Sequence, residues 1–272
     1  NEAINYGDTV VVGEAENAWQ EVMHDFENNR LKKFYYGLYP SLVNLLLPRR
    51  DLLSKKYIFD SVETSRGCPI ACDFCSVAKF NGRLLRQKPV NEVFYEIEKT
   101  VRKKYIFFVD NNIVGYGKKN EERAIRLFSG LKSLNKRWIA QASINIADND
   151  EVLRQANKGC CQLLIIGLES INESSLKQMN KTLNLKKTIT GYKQAIKKIH
   201  DYGILIYGTV IFGNDSDDKD IFKKTAEFYS EAGVDVVAPS SLAPLPGTLL
   251  YERLAKDNRI LHTNYPEDWS KY

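Results

Sequence analysis

The sequence runs to 272 residues with 43% hydrophobic and 11% aromatic content, enough to bury a large core, which argues against a disordered chain and favours one large domain with a fragment of another. Its 39 basic and 34 acidic residues leave a net charge of +5 on a mixed surface, too small an imbalance to indicate a nucleic-acid partner, and no apolar run approaches the roughly 20 residues of a membrane-spanning helix. Five cysteines, an odd number with three of them clustered, point to a metal site in a reducing, cytoplasmic setting rather than to a secreted disulfide framework.

The chain enters a strand-like run at residues 9–12, Thr9-Val10-Val11-Val12, without a charged and apolar leader. It turns at Gly13-Glu14 and continues into an amphipathic helix over 19–27. This strand, turn and helix read as the closing unit of an α/β domain occupying 1–37, so the chain is expected to be a piece of a longer protein. Residues 38–60, with Pro40, Pro48 and Arg49-Arg50, lack regular periodicity and read as a linker. From 61 to 265, short β-branched or aromatic runs alternate with helical patterns, which predicts βα units and a parallel sheet. Strands are expected at 61–64, 105–110, 138–144, 161–167, 204–212 and 234–239, and helices at 90–102, 120–134, 150–156, 185–202, 217–232 and 248–256. Six units are fewer than the eight of a closed barrel, so the expected fold class is α/β, an open partial (β/α)6 barrel preceded by a strand–helix fragment of a Rossmann-like domain.

The most specific signal follows the first barrel strand: Ser65-Arg66-Gly67-Cys68-Pro69-Ile70-Ala71-Cys72-Asp73-Phe74-Cys75, a C-x-x-x-C-x-x-C loop. Three thiolates fill three corners of a four-iron cluster and leave one iron open to a further ligand, whereas an electron carrier normally closes all four. The loop would lie at the carboxyl end of a parallel strand, where such folds assemble their sites. Two other readings of the same residues stay open. One is a zinc site of three thiolates and a histidine, although His24, His200 and His262 are far from the loop in sequence. The other is a closed cluster with Cys160 or Cys161 as fourth ligand, a pair that otherwise reads as small buried residues before a strand.

Cys68, Cys72, Phe74 and Cys75 match the pattern C-x-x-x-C-x-aromatic-C, in which the sequence resembles the radical S-adenosylmethionine (SAM) superfamily. The resemblance implies a 4Fe-4S cluster on Cys68, Cys72 and Cys75, SAM bound to the fourth iron through its amine and carboxylate, and Phe74 beside the adenine. It implies Asp110 or Asn111 as acceptors for the methionyl ammonium, in the segment Val109-Asp110-Asn111-Asn112 that stands in place of the family's Gly-Gly-Glu. Ser143, in Gln141-Ala142-Ser143, and Glu169, in Gly167-Leu168-Glu169-Ser170, would face the ribose and the methionyl carboxylate, with Arg86 as a two-pronged partner of that carboxylate. Gly208 and Ile211, in the strand Tyr207-Gly208-Thr209-Val210-Ile211-Phe212-Gly213, would lie along the adenine. Read by physics alone, Asp110-Asn111 is a polar turn closing a strand and Arg86 a solvated side chain. Glu169, after six mostly apolar residues, is a carboxylate that needs either a ligand or an ion-pair partner.

The unit at 9–27 and the loop Ala243-Pro244-Leu245-Pro246-Gly247-Thr248 further resemble a subgroup that also carries a cobalamin-binding domain, so cobalamin is an expected cofactor of the full-length protein. The implied activity is reductive cleavage of SAM to a 5′-deoxyadenosyl radical that takes hydrogen from a small-molecule or lipid-like substrate, for methylation, ring formation or rearrangement. Electrons would come from a flavodoxin- or ferredoxin-type donor. A non-catalytic iron–sulfur or zinc module and a methylthiotransferase-like enzyme are the alternatives. The lysine-rich stretch 186–200 carries Ile189, Tyr192, Ile196 and Ile199 at helical spacing and reads as the solvated face of a helix rather than a polyanion patch.

Overall fold

Val10, Val11 and Val12 are β-branched in succession and form a short strand, β1 (Val10–Val12), as the branching at Cβ favours. The computed structural model describes residues 2–187 and 189–272. Helix α1 (Trp19–Glu27) follows, and β2 (Phe34–Tyr36) returns to lie parallel to β1 with Val10 opposite Phe34. Ala18 and Val22 bury themselves against Tyr35, whose hydroxyl donates to Asp25 at 2.9 Å. β2 is absent from the expected elements, because at three residues it is too short to display alternation.

Residues 38–58 hold no strand and only a 3-10 turn at Arg50–Leu52. The segment is anchored all the same, since the buried Arg50 donates from Nε to the carbonyl of Ser61 at 3.2 Å and forms an ion pair with Glu96 at 2.7 Å. Ser61 lies on an edge strand, so the guanidinium satisfies a backbone carbonyl that would otherwise invite a foreign strand.

The remaining elements are β3 (Phe59–Val62), β4 (Ser65–Arg66), α2 (Val77–Phe80), β5 (Arg86–Gln87), α3 (Val90–Thr100), β6 (Tyr105–Phe108), α4 (Lys118–Leu131), β7 (Arg137–Ala142), α5 (Asp150–Lys158) and β8 (Cys161–Glu169), continuing through α6 (Glu173–Gln178), α7 (Thr182–Leu185), α8 (Ile189–Asp201), β9 (Leu205–Phe212), α9 (Ile221–Ala232), β10 (Val236–Ser241) and α10 (Leu249–Lys256). Six strands form one parallel sheet in the order β10-β9-β8-β7-β6-β3, with β3 and β10 as unpaired edges. The fold is therefore the open (β/α)6 arrangement. β3 ends at Val62 because the chain then peels away into the antiparallel pair β4–β5, where Arg66 stands opposite Arg86.

Strand residues alternate between two environments, as a period of two requires. Phe108, Trp138, Ala140, Leu164, Ile166 and Ile206 are fully buried under the helices and make one continuous core. Trp138 stacks on Phe128 at 4.8 Å, meets Phe108 edge-on at 5.6 Å and donates from Nε1 to the Gly159 carbonyl at 2.7 Å. The alternate residues Phe107, Ile139, Gln141, Ile165, Tyr207 and Thr209 escape this burial and line the concave side. On the outer face of α8, Lys193 and Lys197 pair with Glu231 and Asp201, and Lys198 with Asp150. No helix among the described residues is long and apolar enough to cross a membrane.

Truncating Trp138→Ala removes two aromatic contacts and a buried hydrogen bond at once. The expected cost is about 3–5 kcal/mol, read as a lower midpoint in denaturant unfolding; a loss below about 1 kcal/mol would contradict its place at the centre of the core.

Candidate active site

The cysteine loop is shaped by its own backbone and then clasped from two distant parts of the chain. Gly67 adopts φ +92, open to a residue without Cβ, and turns the chain out of β4. The Cys68 N–H donates to the Gly82 carbonyl at 3.2 Å, and the Cys75 N–H to the Cys72 carbonyl at 3.1 Å. On one side Asp73 N–H bonds the Met179 carbonyl at 3.0 Å and Asn180 Nδ2 bonds the Ala71 carbonyl at 2.8 Å. On the other, the first turn of α10 gives its Leu250 N–H to the Asp73 carbonyl at 2.9 Å, and Arg253 reaches the Asp73 carboxylate at 3.3 Å. All three thiols are half-buried. Burial pushes the Cys72 thiol up to about 11, against the pull of the Lys181 ammonium nearby, and raises Cys68 in the same way.

Beside the thiols stands a charge pair. β8 carries an irregularity between Gly167 and Glu169, so that Gly167 faces Thr209 while Glu169 faces the next residue, Val210. Glu169 takes φ +65, uncommon outside glycine. Its carboxylate accepts from Lys181 Nζ at 2.8 Å and from Thr209 Oγ1 at 3.2 Å. A Cβ on Gly167 would lie 2.3 Å from Glu169 Oε1 and 3.0 Å from Lys181 Nζ, so only glycine leaves room for the pair. Burial disfavours the Lys181 charge, but Glu169 outweighs it and holds the ammonium above its ordinary range. Lys181 Nζ also lies 6.0 Å from the centre of the Phe74 ring. Next to this pair, Ser143 Oγ shares hydrogen bonds with Asn112 Nδ2 at 3.1 Å and the Tyr116 hydroxyl at 2.6 Å. Burial pushes the Tyr116 phenol up to about 12. Phe74 and Ile211 meet in one apolar group with Leu176 and Met179.

Cys68, Cys72, Cys75, Phe74, Ser143, Glu169 and Ile211 are thus gathered at the carboxyl rim of the sheet, and Asn111, half-buried, follows the end of β6. Three expected residues lie elsewhere. Asp110 is fully buried, accepts from Thr64 N–H at 3.1 Å and Thr64 Oγ1 at 2.8 Å, and faces the buried Arg123; it ties β3 to β6 and does not reach the mouth. Both terminal nitrogens of Arg86 are turned elsewhere, to Glu14, the Pro40 carbonyl and the Asn81 carbonyl. Gly208 turns toward the helices: a Cβ there would come within 2.9 Å of the Tyr229 ring and 3.0 Å of Val234, so its missing side chain makes room for α9 and for Val234 beyond its end. Lys181, Tyr116, Asn112 and Thr209 stand against Glu169 and Ser143 and carry no role in the sequence reading. Only Lys181, a cation directly after Met179-Asn180, carries a charge that could have drawn notice.

The competing metal readings lose ground on the same geometry. Cys161 begins β8 and Glu169 ends it, so the Cys160-Cys161 pair lies about 25 Å along the strand from the cysteine loop. His200 pairs with Asp235 at 2.9 Å and His24 with Arg30 at 2.5 Å, and neither approaches the loop. Among the described residues no three His, Cys, Asp or Glu side chains converge closely enough to hold a single ion. Three thiols on one clasped loop, each within electrostatic reach of the next, suit a polynuclear cluster bound at separate corners.

Residues 62–238 match the family profile described as the Radical SAM superfamily. The chain belongs to that superfamily. Among curated relatives, the bacteriochlorophyllide d C-12(1)-methyltransferase of Chlorobaculum tepidum is 31% identical over 100% of this chain and 59% of its own length. The hopanoid C-2 methylase of Rhodopseudomonas palustris is 27% identical over 78% of this chain and 41% of its own. This chain therefore spans only part of these relatives. Of solved structures, the radical SAM methyltransferase TsrM from Kitasatospora setae, with cobalamin and a [4Fe-4S] cluster bound, superposes with a TM-score of 0.64 at 14% identity over 75% of this chain and 41% of that one. The cobalamin-dependent radical SAM enzyme OxsB gives a TM-score of 0.62 at 18% identity over 90% of this chain and 38% of that one. Both likenesses confirm the partial barrel.

Replacing Lys181→Met strands the Glu169 carboxylate in a nearly buried place. The expected cost is about 3 kcal/mol in denaturant unfolding, and Glu169→Gln added to it should return part of that loss; strictly additive losses would show that the two charges do not act as a pair.

Proposed function

We propose that this chain is the radical SAM core of a cobalamin-dependent enzyme that methylates an apolar small molecule. The observation that carries the reading is the three-cysteine loop set against the Glu169–Lys181 pair at the sheet's carboxyl rim. Cys68, Cys72 and Cys75 would hold the cluster. When bound there and reduced, a 4Fe-4S cluster supplies one electron to the sulfonium of SAM, whose cleavage leaves methionine and a 5′-deoxyadenosyl radical. A methionyl group is a zwitterion, and a paired carboxylate and ammonium offer it one complement for each end: Glu169 for its amine, Lys181 for its carboxylate. Ser143, Thr209 and Asn111 supply neutral polar groups for the remaining methionyl and ribose atoms. Phe74 and Ile211 give the adenine an apolar surface.

Methylation and cobalamin are supported by what the relatives and structural neighbours are called, and by β1–α1–β2, which fits the last part of a cobalamin-binding domain. A cleft of about 1320 Å³ separates that unit and the linker from the edge of the barrel, lined by Trp19, Leu45, Leu46 and Val109 among others. We take residues up to 37 as that domain's tail, 38–60 as linker and 61–265 as core. The apolar concave face, with Phe107, Ile139, Ile165 and Tyr207, suits a lipid-like or polycyclic substrate. Its electrons would come from an external flavodoxin- or ferredoxin-type donor, and a reducing cytoplasmic compartment fits a cluster of this kind. The paired lysines of α8 leave little field for a nucleic acid.

The test is oxygen-free reconstitution. Iron and sulfide should load together, the reduced cluster's paramagnetic spectrum should change when SAM is added, and 5′-deoxyadenosine or S-adenosylhomocysteine should accumulate with a reductant. Cys72→Ser should abolish the spectrum. Glu169→Gln should weaken SAM binding about 10- to 100-fold, the worth of a charge-assisted hydrogen bond of about 1.5–3 kcal/mol. Zinc in place of iron, or a cluster indifferent to SAM, overturns the proposal.

A further inference from the structure

The cysteine loop has a second support outside the barrel. Every one of its three cysteines lies between Arg66 and Arg86, which stand directly opposite each other across the β4–β5 pair and form the base of the hairpin. Like charges facing across two strands repel. The repulsion is offset here by a carboxylate from another part of the chain: Glu14, just past β1, inserts a side chain only 3% exposed between the two guanidiniums. Its Oε2 lies 2.6 Å from Arg66 Nη1 and 2.9 Å from Arg86 Nη1, and its Oε1 bonds Arg86 Nη2. The other donors of Arg66 hold Glu16 at 2.7 Å and Glu63 at 2.8 Å, while Arg86 also donates to the Pro40 and Asn81 carbonyls and lies over the Tyr39 ring at 5.1 Å. Arg66 thus keeps two carboxylates without Glu14, but Arg86 has no other among the described residues.

We propose that Glu14 is a positioning residue for the cluster: the N-terminal β1–α1–β2 unit closes the base of the cysteine hairpin through the carboxylate that bridges both arginines, so that the loop's ability to keep its metal depends on the docking of that unit. The proposal rests on the radical SAM reading for the identity of the metal, but the closure itself is a property of the metal-free chain. Glu14→Gln keeps the shape and removes the charge. In the iron-free protein, trypsin cleavage at the exposed Arg83 inside the hairpin should then quicken about tenfold; in the reconstituted protein, iron should pass to a chelator about tenfold faster, the size of effect typical of a group that orients a metal ligand. Removing the second charge as well, in Glu14→Gln with Arg86→Gln, relieves the Arg66–Arg86 repulsion and should bring both rates back toward those of the unaltered chain, which simple loss of packing would not do. If Glu14→Gln does not fold, Arg86→Gln alone, in which Glu14 keeps Arg66, takes its place and should show a smaller quickening of both rates. Unchanged cleavage and iron loss in the single variant, or a double variant no slower than the single one, overturn the proposal. Failure of the radical SAM reading would show separately, as a metal other than iron on a hairpin whose cleavage still responds to Glu14.

Discussion

Parallel pairing is the constraint from which the site follows. Because β3, β6, β7, β8, β9 and β10 all run the same way, the segments leaving their carboxyl ends must share one rim. The cysteine loop follows β3 by way of β4, Asn112 and Tyr116 follow β6, Ser143 follows β7, Glu169 ends β8 and Ile211 lies at the end of β9. Residues from almost 150 positions of sequence meet there without any of them needing a mobile element. The Trp138-centred core under the helices holds the strands in register, and the register holds the rim.

The charges around that rim are arranged in pairs rather than left to solvent. Glu169 with Lys181, Asp110 with Arg123 nearby, and Glu14 with Arg66 and Arg86 each sit where an unpaired charge would be costly to desolvate. Such pairs add little net stability over an apolar substitute, yet they fix orientation, because each loses heavily if its partner moves. Glu169 is therefore held in one place before any substrate arrives, and so is the base of the cysteine hairpin.

Much of this was legible in the sequence. β-branched and aromatic runs placed the strands of the main sheet within about two residues, since burial on one face leaves a local period. The cysteine spacing stood out because metal chemistry needs those residues at that separation. The elements missed, β2, β4, β5, α2, α6 and α7, are too short to show a period. Side-chain placement is illegible wherever the deciding partner is remote: nothing local to Arg86 announces Glu14, 72 residues away, and nothing around Gly208 announces the Tyr229 ring. Asp110 is turned inward for the same reason, its partners Thr64 and Ser65 being fixed by strand pairing rather than by neighbouring sequence. Glu169 stands out in sequence because an acidic residue ending an apolar run needs a partner, and the structure supplies Lys181.

The offset in β8 has a bearing on how the protein can change over generations. By simple alternation a residue opposite Val210 would share Val210's side of the sheet, under the helices; the extra residue, Leu168, is what allows Glu169 to stand on the other side with Lys181 and Thr209. Exchanges of side chain along β8 leave that offset intact, whereas loss of a single codon within it would swing the carboxylate into oil and dismantle the rim in one step. Away from Gly167 and Glu169, drift in this strand should accordingly tolerate exchanges of similar size far better than changes of length.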